Sequence, residues 1–289
     1  MEISSKVLNS EDATRVLGVN VSSIKRWTDE GKLECIRTIG SHRKFQMQHL
    51  ASFVKRNKKI MSKINIFTIE NTEDLEINYY ILKGDFEYLT VYLIEKAILG
   101  KRDEVQNVLT GLHLSQYPLY LIYDQLITPV LHQIGNQWTE QALTITEEHI
   151  ASQIIRDAII RLQGIIRVPR NKIGQALCLN LSSELHDIAL KMVQNLLELR
   201  GFQTYFTGQK TPYLDLERML LKIQPDRLYI SSTYNEDERL AQLEVEKIYE
   251  LCGKAKIKVF IGGRAFDHIK FDNQIIPVRL MTFQDVYES

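Results

Sequence analysis

The sequence predicts a multidomain chain of three parts: a small N-terminal α domain with a two-stranded β element, a helical bundle, and a C-terminal α/β domain with a parallel sheet. Three observations predict it. Residues 1–60 are basic and hold two short capped helical segments followed by two extended runs around a Gly-Ser turn. Residues 76–164 carry apolar positions at helical spacing with few breakers. From residue 172 onward, short apolar runs alternate with stretches of helical period, which is the pattern of a parallel sheet with helices on both faces.

With 289 residues, 44% of them hydrophobic, the chain can bury a core in each of two or three domains. No stretch approaches the roughly 18 uncharged apolar residues of a membrane span, and the start "MEISSKVLNSED" lacks the apolar core of a signal peptide. The expectation is a soluble cytoplasmic protein with no membrane partner. Cys35, Cys178 and Cys252 are odd in number and far apart, so neither a disulfide framework nor a thiolate zinc site is indicated. The net charge of +0 conceals an asymmetry. Residues 1–60 carry 12 Lys and Arg against 6 Asp and Glu, so the remainder stands at −6.

In the basic segment, "NSEDATRVLG" reads as a helix with Ser10 as N-cap, Glu11 and Asp12 in the first turn and Gly18 at its end. "VNVSSIKRWTDEGKL" reads as a second helix capped by Asn20 or Ser22. Val21, Ile24 and Trp27 take its inner face, which leaves Ser22, Ser23, Lys25 and Arg26 outside. Two short helices around a Gly turn, the second with basic and hydroxyl residues near its start, suit entry into a major groove. In "CIRTIGSHRKFQM" a hairpin turns at Gly40 and Ser41 and bears Arg37, His42, Arg43 and Lys44, a wing whose charges would lie against phosphates. A solvated basic surface without a partner is the alternative. The run "ATRVLGVNVSSIKRWTDEGKLECIRTIGSHRKF" resembles the winged helix-turn-helix domain of the MerR family. That resemblance implies binding to a double-stranded DNA operator, as a dimer on an inverted repeat.

These features place a DNA-binding domain at 1–57, a linker at 58–75, a helical domain at 76–168 and an α/β domain at 169–289. Most of the helical domain is explained by packing. Trp138 is followed after nine residues by Glu148 and His149, on a helix that Thr144 or Thr146 can cap. From the residues alone, a core Trp beside a helix-start carboxylate pair accounts for them. The spacing also resembles the W-x9-E-H motif in the helical cap of light-responsive cobalamin-binding MerR regulators, the CarH/LitR group.

The strands of the last domain are expected in "IGQALCLNL", "GFQTYFTG", "PDRLYISST" and "IKVFIGG". In such folds ligands sit beyond the carboxyl ends of the strands. His186 follows the first strand, Ser231 and Thr233 end the third, and Gly262 and Gly263 end the fourth. The text Glu184-x-His186-x-x-Ala189, Ser231-x-Thr233, Gly262-Gly263 resembles the fingerprint D/E-x-H-x-x-G, S-x-L/T, G-G of the cobalamin-binding Rossmann-like domain. One departure is Ala189, which adds a methyl where the family has Gly. His113, His132 and His268 lack partner spacing and read as packing or surface residues, and His49 as structural.

The combined resemblance implies a light-sensing repressor that holds adenosylcobalamin. In it, His186 ligates cobalt from below, Glu184 orients the ring, and Ser231 completes the relay. Gly262 and Gly263 leave room for the nucleotide tail, while Trp138 and Glu148 line the adenosyl pocket. After light breaks the cobalt–carbon bond, His149 takes the upper face, and a homo-oligomer, dimer or tetramer, changes state and loses DNA. A regulator that has lost the cofactor or senses another ligand finds support in Ala189 alone. An enzyme of the corrinoid class needs a substrate barrel of roughly 250 residues, for which no segment has the length. A corrinoid carrier for such an enzyme would have no use for the basic first domain, so no catalytic residues are expected.

Overall fold

The computed structural model describes residues 7–57, 72–234, 237–271 and 278–289. It divides into two compact units, Met1–Pro118 with Pro129–Ile154, and Leu119–Thr128 with Ile155–Ser289.

The first unit opens with strand β1 (Val7–Leu8), helices α1 (Ser10–Leu17) and α2 (Val21–Asp29), strands β2 (Ile36–Arg37) and β3 (Arg43–Gln46), and α3 (Met47–Arg56). Asn9, and not the expected Ser10, is the N-cap of α1. Its Oδ1 accepts the Asp12 N–H at 2.8 Å while the Asp12 carboxylate accepts the Asn9 N–H at 3.2 Å, which satisfies two orphan donors at once. Gly18 ends the helix at φ 64°, and Asn20 caps α2 by accepting the Ser23 N–H at 3.0 Å. Strands β2 and β3 form the expected antiparallel hairpin, and β1 adds a third strand on the far side of β3 that was too short to be legible.

Ile24 and Trp27 are buried as their spacing requires, with the Trp27 and Phe53 rings 4.7 Å apart. Val21 is not; at the first helical position it stands at the edge of so small a core and is 38% exposed. Leu75 joins this same core, because helix α4 (Thr72–Lys83) begins inside the stretch expected to be linker. Residues 58–71 of that linker lie outside the described residues.

Helices α5 (Phe86–Ile98) and α6 (Arg102–Leu114) continue the helical region. Helix α7 (Leu119–Ile122) runs through a π turn at Tyr123–Ile127 into α8 (Thr128–Thr139), and α9 (Ile145–Gln163) follows. The cap of α9 is Thr144: its Oγ1 accepts the Glu147 N–H at 3.3 Å, and the Glu147 carboxylate accepts the Thr144 N–H at 2.8 Å.

The second unit is built on a five-stranded parallel sheet in the order β5-β4-β6-β7-β8, with strands β4 (Gly174–Asn180), β5 (Phe202–Phe206), β6 (Arg227–Ser231), β7 (Lys258–Gly262) and β8 (Val278–Leu280). Side chains alternate across it. Leu177 and Leu179 face the core under α11 (Leu216–Ile223) and α12 (Glu238–Ala255), while Ala176 and Cys178 face α10 (Ile188–Arg200), beside which α13 (Phe283–Glu288) packs. Strand β8 and α13 were not anticipated, since three residues cannot display an alternation. Among the described residues no helix is long and apolar enough to cross a membrane.

Candidate functional site

Glu184 and His186 lie on the loop from β4 to α10, at the carboxyl edge of the sheet where ligand sites form. The Glu184 side chain is fully buried, and it takes hydrogen bonds from His186 and from the loop after β6. Its Oε1 accepts the His186 backbone N–H at 2.7 Å and lies 2.6 Å from the ring Nδ1. Its Oε2 accepts the Ser232 hydroxyl at 3.2 Å, the Tyr234 N–H at 3.1 Å and the Thr233 N–H. Burial pushes the carboxyl up, but the bonds from His186, Thr233 and Tyr234 outweigh it and hold the group below the usual carboxylate range. A buried, ionised acceptor on Nδ1 fixes the Nδ1–H tautomer and makes Nε2 the basic nitrogen. The His186 side chain itself is 61% exposed.

The expected relay through Ser231 runs instead through its neighbour Ser232. Ser231 ends β6 with its side chain on the α10 face, in register with Asn180 on one side and Gly262 on the other. Asn180, Ser231 and Gly262 thus form one row across three strands. The Asn180 amide donates to the His186 carbonyl at 3.2 Å, while its Oδ1 is buried with no hydrogen-bond partner among the described residues. Thr233 contributes its backbone N–H to Glu184.

The two glycines differ. A Cβ on Gly262 would meet only the Leu280 carbonyl at 3.4 Å, an ordinary contact. Gly263 has φ +102°, and a Cβ there would fall 2.1 Å from the Ser232 carbonyl. Gly263 is therefore demanded by the approach of Ser232, the residue that helps hold Glu184. Ala189 is half-buried in the first turn of α10.

In the first unit, Glu148 accepts from the Ser152 hydroxyl at 2.7 Å and lies 2.5 Å from the His149 Nδ1, with the His149 side chain 70% exposed. Trp138 on α8 is 47% exposed, so the alternative of an ordinary core Trp does not hold. Among the described residues no group of three or more His, Cys, Asp and Glu could form a metal site by itself.

On α2, Ser22, Lys25 and Arg26 are exposed and Ser23 is half-buried. Both serine hydroxyls bond Asn20 Oδ1, at 2.5 and 3.1 Å, and so serve the helix cap as well as the outer face. On the wing, His42 is exposed and Lys44 half-buried. Arg37 and Arg43 both reach Asp29 at the end of α2, at 3.0 and 2.8 Å. The Arg43 guanidinium, with Arg37 beside it, holds the Asp29 carboxyl below its usual range. Exposed pairs add little to folding, whereas an anion on these arginines would oppose DNA if they lie against phosphates, as the sequence leads one to expect. Asp29→Asn is therefore expected to raise affinity for duplex DNA several-fold and to steepen the log K against log salt slope by about one, with the melting temperature unchanged. A salt titration by fluorescence anisotropy measures both, and a weaker complex would mean that Asp29 positions the arginines instead of restraining them.

Residues 7–58 match the helix-turn-helix domain family, and residues 93–163 match the B12 binding domain family. The chain joins a helix-turn-helix domain to a B12 binding domain. Over 152 residues it is 24% identical to the HTH-type transcriptional repressor CarH of Myxococcus xanthus, a match that covers 53% of this chain and 50% of that protein. The chain thus spans about half the length of this relative, which is of the regulator type that the sequence resembles. Over 112 residues it is 27% identical to the glutamate mutase sigma subunit of Fusobacterium nucleatum, covering 37% of this chain and 79% of that one. Among solved structures, the Methanosarcina barkeri monomethylamine corrinoid protein shares the fold, with a TM-score of 0.57 at 13% identity over 70% of this chain and 96% of its own.

The residues of the α/β unit fit a corrinoid. The donor set is an exposed imidazole with its other nitrogen on an ionised carboxylate, which is how a metal-holding histidine is usually oriented. The orphaned Asn180 Oδ1, with Gly262 two strands away across Ser231, offers an acceptor at one end of the row and open backbone at the other to a group with hydrogen-bond donors. Ser232, Tyr234 and Asn180 were missed in the sequence. Of these only Asn180 left a signal, as a polar residue continuing the buried alternation of Ala176 and Cys178.

Proposed function

We propose that the protein is a DNA-binding transcriptional regulator, a repressor and not an enzyme, that senses light through bound adenosylcobalamin. The observation that carries the reading is the His186 ring seated on buried Glu184 at the carboxyl edge of the sheet, in a chain that begins with a helix-turn-helix domain. When bound, adenosylcobalamin supplies a cobalt–carbon bond that light breaks. His186 would hold the cobalt through Nε2, and Glu184 would keep that nitrogen unprotonated by retaining the proton on Nδ1. The row of Asn180, Ser231 and Gly262 receives the nucleotide tail, with Thr233, Gly263 and Ala189 at its rim. Trp138 and Glu148 would shield an adenosyl group, and His149 would be a second imidazole able to hold the metal.

On the DNA side, Lys25 and Arg26 with Ser22 and Ser23 enter the major groove, and Arg37, His42, Arg43 and Lys44 meet the backbone. Holding several such domains in one homo-oligomer raises operator affinity through effective concentration, so a change of assembly releases the operator. The domain limits that accompany this reading are 1–57 for DNA binding, 76–168 for the helical cap and 169–289 for the α/β module.

The test is size-exclusion chromatography and a DNA mobility shift with the full chain, with and without adenosylcobalamin, in the dark and after green light. A cofactor-dependent complex with DNA that light dissolves, together with a change in molecular mass, is the expected outcome. DNA binding and mass indifferent to both cofactor and light would overturn the reading.

A further inference from the structure

Asp187 occupies the N-cap position of α10, where an Asp ordinarily accepts a backbone N–H of the first turn. Its side chain makes no such bond. It turns instead to Arg156 on α9, which donates through Nε at 3.0 Å to Oδ1 and through Nη2 at 2.8 Å to Oδ2. The Asp187 side chain is only 4% exposed and that of Arg156 29%. A buried carboxylate persists only when it is paired and hydrogen-bonded, and a bidentate Arg fork is the most directional partner available. The helix start has thus given up a cap worth about 1 kcal/mol for a contact to another helix.

The position of this pair explains the exchange. Asp187 directly follows His186, whose backbone N–H is held by Glu184 and whose carbonyl is held by Asn180. Glu184 in turn is fixed by Ser232 and Tyr234 of the β6 loop. The sheet therefore anchors the histidine loop on one side, and the Arg156 fork is its anchor to a helix on the other.

We infer that Arg156 and Asp187 are positioning residues that set the orientation of the His186 imidazole by clamping its loop to helix α9. This rests on the corrinoid reading of His186. Loss of the fork frees the backbone at Asp187 to rotate, and the Nδ1–H bond to Glu184 weakens with it.

Two readouts test the clamp on the full chain. In apo protein, long-range 1H–15N spectra report the His186 tautomer in the wild type, Arg156→Gln, Arg156→Lys and Asp187→Asn. In the loaded protein, adenosylcobalamin titration in the dark reports affinity and the fraction with a histidine-ligated spectrum. The expected result is a single Nδ1–H tautomer in the wild type, a mixture of tautomers in R156Q and D187N with roughly 10-fold weaker binding, and partial recovery in R156K. Wild-type tautomer and affinity in both R156Q and D187N would overturn the inference, as would recovery in R156Q to the level of R156K. Failure of the wild type to bind cobalamin sinks the corrinoid reading alone, because the apo tautomer still decides whether the pair orients the ring.

Discussion

Gly263→Ala is expected to lower the stability of the α/β unit by about 3 kcal/mol or more and to abolish cobalamin binding, while Gly262→Ala leaves the fold nearly intact. The two glycines are adjacent, yet their surroundings differ in kind. At Gly263 a Cβ would lie 2.1 Å from a backbone carbonyl, which cannot give way as a flexible side chain can, and the backbone sits at φ +102°. The strained conformation alone costs about 1–3 kcal/mol for a non-glycine residue, before the clash with Ser232 is relieved. Relief means moving Ser232, and with it the hydroxyl and the two following N–H groups that hold Glu184. At Gly262 the nearest atom is 3.4 Å away, so alanine fits, but its methyl projects into the row of Asn180 and Ser231. Thermal denaturation separates the two: a large drop for G263A and a small one for G262A, with G262A losing affinity for cobalamin out of proportion to its stability. Equal melting temperatures would contradict the assignment of Gly263 to the approach of Ser232.

Glu184→Gln is the second substitution with a large expected effect. The carboxylate collects five donors, including the His186 ring, and an amide of the same shape retains one acceptor oxygen and turns an NH2 group toward N–H donors. Breaking a buried charged network of this sort costs about 3 kcal/mol, and loss of a carboxylate behind a ligating histidine typically weakens metal binding 10–100-fold. Since the folded pKa of Glu184 lies below its ordinary 4.5, the stabilisation is fully present above that value and is lost as the pH falls through the depressed one. The wild-type melting temperature therefore drops across that acidic window, and the E184Q curve lacks the Glu184 part of the drop. A variant that keeps wild-type affinity would show that Glu184 is structural and does not tune His186.

The helix-turn-helix domain was legible because its signals are local. Caps, the Gly18 turn and the Gly40–Ser41 hairpin lie within a few residues of their partners, and the burial of Ile24 and Trp27 shows in their helical spacing. What was missed there, the pairing of β1 and the entry of Leu75 into the core, depends on segments well separated in sequence from the groups they meet. In the α/β unit the strands and the Glu184–His186 dyad were legible for the same reason. The choice between Ser231 and Ser232 was not, because it depends on which side of the strand end each hydroxyl leaves the sheet. The Arg156 fork spans 31 residues and has no local signature. That the Ser232 carbonyl also requires a glycine at 263 was not legible, because a sequence does not show which backbone approaches which.

The account stands most directly on His186 as the cobalt ligand. The deciding measurement is the dark absorption spectrum of adenosylcobalamin bound to the wild type and to His186→Ala. The expected result is a base-off, histidine-ligated spectrum for the wild type and its loss in H186A. Identical spectra from the two proteins, or free cofactor eluting apart from the wild type, would contradict it.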